Sequence, residues 1–232
     1  MSAEGSGSDR DLLSLASSPR LMKVIRQRAK KCRMALSEEA LAALAVHARR
    51  VCERNEELRL TSIRDPRQFV ERHLGESFEG AAMLDPGAEG VLLDLGSGNG
   101  YPGLAVAAAR SGLRPLLSEA SARKAAFLRD VVGEAFPAGA VLERQVQRPA
   151  DLDDDARFGV IVTRAAGGWE RILPRLATRL EPGGSLLVWA GQQMETVAGR
   201  KAWSRYRLEE RKRLPGRERS WVWRFEAARI TN

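Results

Sequence analysis

The chain has 232 residues, 44% of them hydrophobic, and a formal net charge of +8 at pH 7. This length allows one α/β domain with a sizeable core and an appended helical segment. The polar first residues do not resemble a signal peptide and no apolar run approaches the roughly 20 residues of a membrane helix, so we expect a cytoplasmic protein without a membrane partner. The two cysteines lack metal-ligand spacing, which predicts no metal site.

The first 86 residues predict a tail followed by helices. Residues 1–19 are rich in Ser, Gly and Asp and predict a mobile tail. Residues 20–86 predict an N-terminal helical segment, in which Ser37 is a candidate N-cap and Asp65-Pro66 a turn that starts another helix. Apolar residues recur on one face of the helix after Ser37, at Leu41, Leu44, Ala48 and Val51.

Basic residues concentrate near both ends of the chain. Residues 20–33 carry seven basic side chains and no acidic one, and residues 200–219 are also rich in arginine and lysine. Such tracts favour a polyanionic partner through phosphate contacts, but the solvated surface of an enzyme explains them equally well.

The sequence pattern changes in residues 87–232, where short apolar segments alternate with segments of helical periodicity. This alternation predicts βαβ units around a parallel sheet. The end of the chain differs, because two segments flanking Pro215-Gly216 predict an antiparallel hairpin. The alternating tryptophans of this hairpin indicate sheet packing before base stacking.

The stretch VLLDLGSGNG, residues 91–100, places three alternate glycines after an apolar run. A strand, a tight turn and a helix in this order bring backbone N–H groups close to a ligand. A phosphate-binding P-loop is excluded, because Leu104 and Ala105 follow Gly103 where that motif needs lysine and a hydroxyl residue. The dinucleotide fingerprint fails too, because Tyr101 takes its third glycine position.

The remaining pattern, Asp94-x-Gly96-x-Gly98-x-Gly100, resembles the first motif of class I S-adenosylmethionine-dependent methyltransferases. Glu119 ends the next apolar run and could accept both hydroxyls of a ribose. Tight packing of a strand on a helix also explains such a glycine turn, and an acid at a strand end is often only solvated. The resemblance implies an α/β fold with a Rossmann-like class I methyltransferase sheet, mostly parallel with an antiparallel edge hairpin, behind an N-terminal helical segment.

Longer segments resemble the bacterial ribosomal RNA small subunit methyltransferase G family, the 16S rRNA guanine-N7 methyltransferases. The specific pieces are Thr-x-Ile-Arg-Asp-Pro…Arg-His, residues 61–73, and Gly-Tyr-Pro-Gly, residues 100–103. The resemblance covers about residues 21–228 and implies S-adenosylmethionine as cofactor and 16S rRNA or the small ribosomal subunit as partner; we expect a monomer. The implied cofactor-binding residues are Gly96, Gly98, Gly100, Tyr101, Glu119, Ala120, Ser121, Val146, Gln147 and Arg164.

Guanine N7 carries a lone pair and no proton, so no general base is needed and none is predicted. We expect Arg164 to orient the cofactor or a phosphate. A lone histidine such as His73 is more often structural than catalytic. The candidate RNA-binding residues are Lys23, Arg26, Lys30 and Arg33 on one predicted helix face, together with Arg64 and Arg72.

Several positions depart from the family pattern. Gly159 replaces an aspartate, Ala190 a lysine, Arg59 an asparagine, and Val146-Gln147 an Ala-Glu pair. These changes leave open a paralogue that methylates another RNA, a protein or a small molecule, and a cofactor-binding protein without transfer activity. A nicotinamide-dependent enzyme is the weakest alternative.

Overall fold

The computed structural model describes residues 12, 19–164 and 168–228 of the chain. Most of the predicted tail therefore lies outside the described residues. The helices are α1 (Arg20–Lys31), α2 (Glu38–Leu58), α3 (Pro66–Phe69), α4 (Glu76–Ala81), α5 (Gly103–Ala109), α6 (Ala122–Ala135), α7 (Trp169–Leu176) and α8 (Gln193–Ala198). A π-helical turn, Val70–Gly75, joins α3 to α4.

Seven strands form one sheet. They are β1 (Glu89–Leu95), β2 (Gly112–Ser118), β3 (Ala140–Leu142), β4 (Phe158–Arg164), β5 (Leu180–Ala190), β6 (Tyr206–Arg213) and β7 (Trp221–Ala227). The strand order is β3-β2-β1-β4-β5-β7-β6, and the pairs among the first five strands are parallel. Strand β7 runs antiparallel to both β5 and β6, which confirms the predicted hairpin at the edge of the sheet. The antiparallel strand itself lies one place inside that edge.

The sheet is covered on both faces, as a mostly parallel sheet requires. One apolar cluster joins the N-terminal helices to α5 and α6, with Leu41, Leu104 and Leu117 fully buried in it. A second cluster packs α7 and α8 on the other face around Leu173 and Trp203. Among the described residues, no helix combines the length and apolar character needed to cross a bilayer.

Two predicted helix starts are confirmed by their caps. The Ser37 hydroxyl accepts a hydrogen bond from the Ala40 N–H at 3.1 Å, and the Asp65 carboxylate accepts one from the Gln68 N–H at 2.7 Å. Each bond satisfies a backbone donor that the first helical turn leaves without a partner.

The predicted helical face that includes Arg33 is wrong, because α1 ends at Lys31. The Met34 N–H returns to the Ala29 carbonyl at 3.0 Å, and Arg33 itself adopts a left-handed conformation with φ of 59°. This hydrogen bond closes a Schellman turn, which turns the chain away from the helix axis. Arg33 is exposed beyond the helix rather than in line with Lys30.

Candidate functional site

The glycine loop follows β1 and connects it to α5. Gly96, Gly98 and Gly100 all have positive φ angles, of 70°, 56° and 90°. Residues with side chains rarely adopt these angles, so the alternate glycines allow the tight path of the loop. The Gly98 N–H donates to the Glu119 carboxylate at 2.9 Å, which ties the loop to the tip of β2.

Asp94 holds the loop from beneath. Its Oδ2 accepts a hydrogen bond from the Gly103 N–H at 3.0 Å, at the start of α5. A Cβ on Gly103 would lie 2.5 Å from that oxygen, so this close approach requires glycine. Burial raises the pKa of Asp94 to about 7, against the opposing effect of the Gly103 hydrogen bond. Asp94 is 1% exposed, so it organises the loop and does not reach a ligand.

Two cavities meet at the glycine loop and share Gly96 in their linings. The larger has a volume of about 570 Å³, and Thr61, Arg72, His73, Tyr101, Arg164 and Arg217 lie along its wall. The smaller has a volume of about 190 Å³ and is lined by Glu119, Ala120, Val146, Trp169 and Ile172. The larger cavity is therefore rich in cations, whereas the smaller one combines apolar side chains with one carboxylate and one arginine, Arg144.

Tyr101 lies between two histidines at the floor of the larger cavity. Its ring stacks on His47 with centroids 4.2 Å apart and on His73 with centroids 5.0 Å apart. The Asn99 carbonyl lies 2.7 Å from His47 Nε2, and since a carbonyl only accepts, Nε2 carries the proton. Burial lowers the pKa of His47 to about 4, so both the stack and this hydrogen bond involve a neutral ring at pH 7.

Arg164 is the centre of a hydrogen-bond chain at the end of β4. Its guanidinium donates to the Arg72 carbonyl at 2.9 Å, to the Tyr101 carbonyl at 3.3 Å and to His73 Nδ1 at 3.2 Å. Because arginine only donates, His73 carries its proton on Nε2 and donates to the Thr61 hydroxyl oxygen at 2.9 Å. Burial and the nearby Arg164 charge keep the pKa of His73 well below its usual range, so this ring is also neutral.

Thr61 completes this chain at the cavity wall. Its hydroxyl oxygen also accepts the Ile63 N–H at 3.1 Å. With two donors already directed at the oxygen, the hydroxyl proton remains available to a group in the cavity. The position of that hydroxyl is thus set by Arg164 through His73.

A buried carboxylate, Glu76, gathers three arginines behind this wall. Arg72, Arg164 and Arg217 approach its oxygens at 3.6 to 3.8 Å. These are ion-pair distances, but they are too long for hydrogen bonds. Burial raises the pKa of Glu76 despite the arginine charges.

The structure brings most of the predicted cofactor residues to the two cavities. Gly96, Gly98, Tyr101 and Arg164 line the larger cavity, and Gly96, Glu119, Ala120 and Val146 line the smaller one. Three others lie elsewhere. Gly100 faces the N-terminal helices, because a Cβ there would lie 2.8 Å from His47 Nε2. Ser121 caps α6, and Gln147 lines a third cavity and donates to Gln145.

The candidate RNA-binding residues are scattered. Lys23 and Lys30 are exposed on α1, whereas Arg26 is paired with Glu38 at 2.7 Å. Arg64 is exposed beside the Asp65 cap, and Arg72 lines the larger cavity. Another member of the basic run, Arg28, is buried and paired with Glu71 and Glu79.

Sequence reasoning missed several residues of the site. His47, Asn99 and Thr61 support the floor and wall of the larger cavity, and Arg217 reaches it from the turn between β6 and β7. The only local signal for Arg217 is the Pro215-Gly216 turn that precedes it, and that signal predicts a turn without indicating what the turn faces.

Of two departures from the family pattern, the structure explains the one at Gly159 and not the one at Arg59. A Cβ on Gly159 would lie 1.9 Å from the Glu89 carbonyl oxygen, so β1 and β4 approach too closely here for an aspartate. Arg59 caps the end of α2 in a left-handed conformation with φ of 50°. Asparagine tolerates that conformation better than arginine, so this substitution opposes the local backbone.

Comparisons with known proteins identify the family. Residues 40–212 match the family model of the rRNA small subunit methyltransferase G. The chain is 31% identical to the ribosomal RNA small subunit methyltransferase G of Sorangium cellulosum, over 72% of this chain and 71% of that protein. It is 34% identical to the protein of the same name from Anaeromyxobacter, over 69% of this chain and 74% of that protein.

Solved structures support the fold alone, because their sequence identities are low. A StiE O-methyltransferase segment has a TM-score of 0.55 at 11% identity and covers 78% of this chain and 82% of its own. The fibrillarin pre-rRNA processing protein of Methanococcus jannaschii has a TM-score of 0.52 at 14% identity, and the match covers 62% of this chain and 69% of that protein. By the match over residues 40–212 and by its 31% identity to the Sorangium cellulosum protein, the chain belongs to the rRNA small subunit methyltransferase G family.

Proposed function

We propose that this protein transfers a methyl group from S-adenosylmethionine to N7 of a guanine in the 16S rRNA of the small ribosomal subunit. The observation that carries the proposal is the glycine loop between two unlike cavities, in a chain whose residues 40–212 match this methyltransferase family. We further propose that it acts as a monomer in the cytoplasm, where its substrate is found.

The residues present fit this cofactor at both of its ends. In the smaller cavity, Glu119 offers carboxylate oxygens to ribose hydroxyls, beside apolar Val146 and Ile172 for an adenine ring. In the larger cavity, Arg164 and Arg72 provide positive charge for a carboxylate. Gly98 leaves open space, since a Cβ there would meet only the Gly96 carbonyl, at 3.9 Å.

The chemistry asks the protein to position groups and not to move protons. The cofactor, when bound, supplies a methyl group already activated by a sulfonium, and guanine N7 attacks through a lone pair that carries no proton. Burial lowers the pKa of both histidines beside the cavity, which makes them weak bases and agrees with a site that needs no general base. The chain's contribution is to hold both reactants in line and to exclude other orientations.

Arg164 suits an orienting role. Its donors are largely committed to the Arg72 carbonyl, the Tyr101 carbonyl and His73. Its side chain is 20% exposed, so its charge still faces the cavity. We propose that it orders the wall of the site and attracts an anionic group, without exchanging a proton.

The substrate base must leave its stack to reach this site. N7 lies in the major groove, which is deep and narrow in A-form RNA. An unpaired or extruded guanine avoids that barrier. A cavity of about 570 Å³ beside the glycine loop gives such a base room to enter.

The test is transfer of a labelled methyl group to small ribosomal subunits that lack the N7 mark, followed by mapping of the modified base. One N7-methylguanine in 16S rRNA is the expected product. Gly98→Asp should abolish cofactor binding, because it places a second carboxylate near Glu119 in the backbone cradle. Gly98→Ala is the matched control and should keep binding at a modest strain of about 1–2 kcal/mol. Tight cofactor binding without transfer to 16S rRNA would refute the substrate, and unchanged cofactor affinity in Gly98→Asp would refute the site.

A further inference from the structure

A second strongly basic surface lies outside the site described above. A groove of about 620 Å³ runs between α7 and the segment 200–205. Five exposed cations line it: Arg171, Arg175, Arg200, Lys201 and Arg205. Glu170 is its one acidic lining residue within the described chain. We call this surface the α7 groove.

The cations of the α7 groove are uncommitted. Within residues 19–164 and 168–228, none of the five makes an ion pair within 4.0 Å, whereas Arg26, Arg28 and Arg72 all do. Arg171 and Arg175 are like charges at i and i+4, which is unfavourable, and the helix dipole disfavours Arg171 in the first turn but favours Arg175 in the last. Among the described residues the five cations therefore add no ion pair to the fold, and such a cluster favours an anionic ligand.

The floor of the groove is rigid and apolar. Trp203 is 1% exposed and packs against Trp169, Tyr206 and Phe225. A buried indole offers no open face for a base to stack on. The groove can therefore contact phosphates through its walls, but Trp203 gives it no stacking platform for a base.

The groove is continuous with the proposed cofactor site. Arg171 and Arg175 also line a neighbouring cavity of about 320 Å³. That cavity shares Val146 and Ile172 with the smaller cavity at the glycine loop. A chain bound along the α7 groove would thus lead toward the site of transfer.

We propose that the α7 groove binds the sugar–phosphate backbone of the RNA substrate, on the side of the sheet opposite to the basic helix α1. The inference rests on the proposed function for the identity of the RNA. It assigns sequence-independent affinity to the groove, because phosphates carry no sequence information. The substrate would be held along α7 while one base enters the larger cavity.

The experiment removes three groove charges that lie away from the cofactor cavities, in the variant Arg200→Gln/Lys201→Gln/Arg205→Gln. The matched control, Arg49→Gln/Arg114→Gln/Arg157→Gln, removes three exposed charges elsewhere on the surface that make no ion pair within the described residues. Binding to small ribosomal subunits and to protein-free 16S rRNA is measured over a range of salt concentrations. S-adenosylmethionine affinity and the melting temperature are measured in parallel.

The groove variant should lose about tenfold or more in affinity for both RNAs, and the slope of log K against log salt should fall by about two to three units. The control should keep the wild-type slope, and both variants should keep cofactor affinity and melting temperature. A wild-type slope in the groove variant would overturn the inference. Weaker binding to subunits but not to free 16S rRNA would also overturn it, because the groove would then contact a ribosomal protein.

Failure of the proposed function gives a different result. A wild-type protein that binds 16S rRNA but transfers no methyl group to it would refute the proposed reaction. The salt dependence of the groove variant would still decide whether the groove holds RNA. A wild-type protein that binds neither RNA would refute the groove as an RNA surface.

Discussion

Two glutamates one turn apart on α4 sit in opposite electrostatic situations. Glu79 accepts hydrogen bonds from the Cys32 thiol at 3.2 Å and from Arg28 at 3.3 Å, and it pairs with Lys212 at 2.7 Å. Glu76 has three arginines at 3.6 to 3.8 Å, and one of its oxygens is buried without a hydrogen-bond partner among the described residues. We call the cluster around Glu79 closed, because both oxygens of its carboxylate have partners. We call the cluster around Glu76, beside the larger cavity, open, because one oxygen of its carboxylate has no hydrogen-bond partner in the described chain.

The difference shows in the direction of each pKa shift. Burial alone would raise the pKa of Glu79, but the hydrogen bonds from Lys212, Cys32 and Arg28 and the Lys212 charge lower it on balance. Burial raises the pKa of Glu76, and the arginine charges do not offset it. A closed network stabilises its charge and the fold, whereas in the open network Arg72 and Arg217 make no hydrogen bond to Glu76 and can bind a ligand in the cavity. The completeness of a polar cluster thus separates a structural role from a functional one.

The largest expected effect is on the closed cluster. Arg28→Ala should lower the free energy of unfolding by about 2–4 kcal/mol, because it removes a buried guanidinium and its charged hydrogen bonds, although Lys212 still pairs with Glu79. Arg28 is 5% exposed, and it fits against the π-helical turn only because Gly75 has no Cβ. Arg26→Ala, on the same helix but in an exposed pair with Glu38, should cost about 0–1 kcal/mol. Denaturant unfolding measures both; equal losses would contradict the structural role of the cluster.

A smaller effect should depend on pH, with opposite signs at the two glutamates. Because the pKa of Glu79 is lowered in the fold, its stabilisation is present above its ordinary pKa and is lost as pH falls through the folded value. Glu79→Gln should therefore cost about 1–3 kcal/mol at pH 7 and less in acid. The raised pKa of Glu76 means that its charge opposes folding as pH rises above its ordinary 4.5.

The stability of Glu76→Gln relative to the wild type should accordingly rise as the pH is raised from 4 to 8, whereas that of Glu79→Gln should fall. Melting temperatures of the wild type and both variants across this range check the two signs together. Parallel curves for Glu76→Gln and Glu79→Gln would show that the two clusters do not differ in the way their geometry indicates.

Local chemistry explains which parts of the structure could be predicted from the sequence. Ser37 and Asp65 cap helices through bonds three residues away, and the glycine loop depends on backbone angles that only a few residue types adopt. Arg28 looks like one cation in a basic run, because its partner Glu79 lies 51 residues further along the chain. Charge runs show composition, but only the fold determines which charges are neutralised within the protein.

The residues of the candidate site also divide into those that the local sequence predicts and those that only the fold brings together. The glycine loop and Glu119 follow directly from strand ends, whose position in a parallel sheet is predictable. The cations around Glu76 come from a π-helical turn, from β4 and from a hairpin turn, and no single sequence pattern links them. The sequence prediction fails at Arg33, because regular helical spacing predicts a place for it on the helix face, whereas a Schellman turn ends the helix before it.

The smallest expected effect on the fold, with a clear effect on function, is at Arg217. Its side chain is 38% exposed, and its Nε bonds Ser220 at 3.3 Å on the same turn and lies 3.8 Å from Glu76. Arg217→Gln should therefore change the free energy of unfolding by less than about 0.5 kcal/mol. It should lower kcat/KM for small ribosomal subunits by about tenfold to a hundredfold, because a charged hydrogen bond to an anionic substrate contributes about 1.5–3 kcal/mol. Arg219→Gln removes an exposed charge from the same turn but outside the cavity lining, and should leave kcat/KM unchanged. Equal kcat/KM in the two variants would mean that the open cluster around Glu76 does not contact substrate.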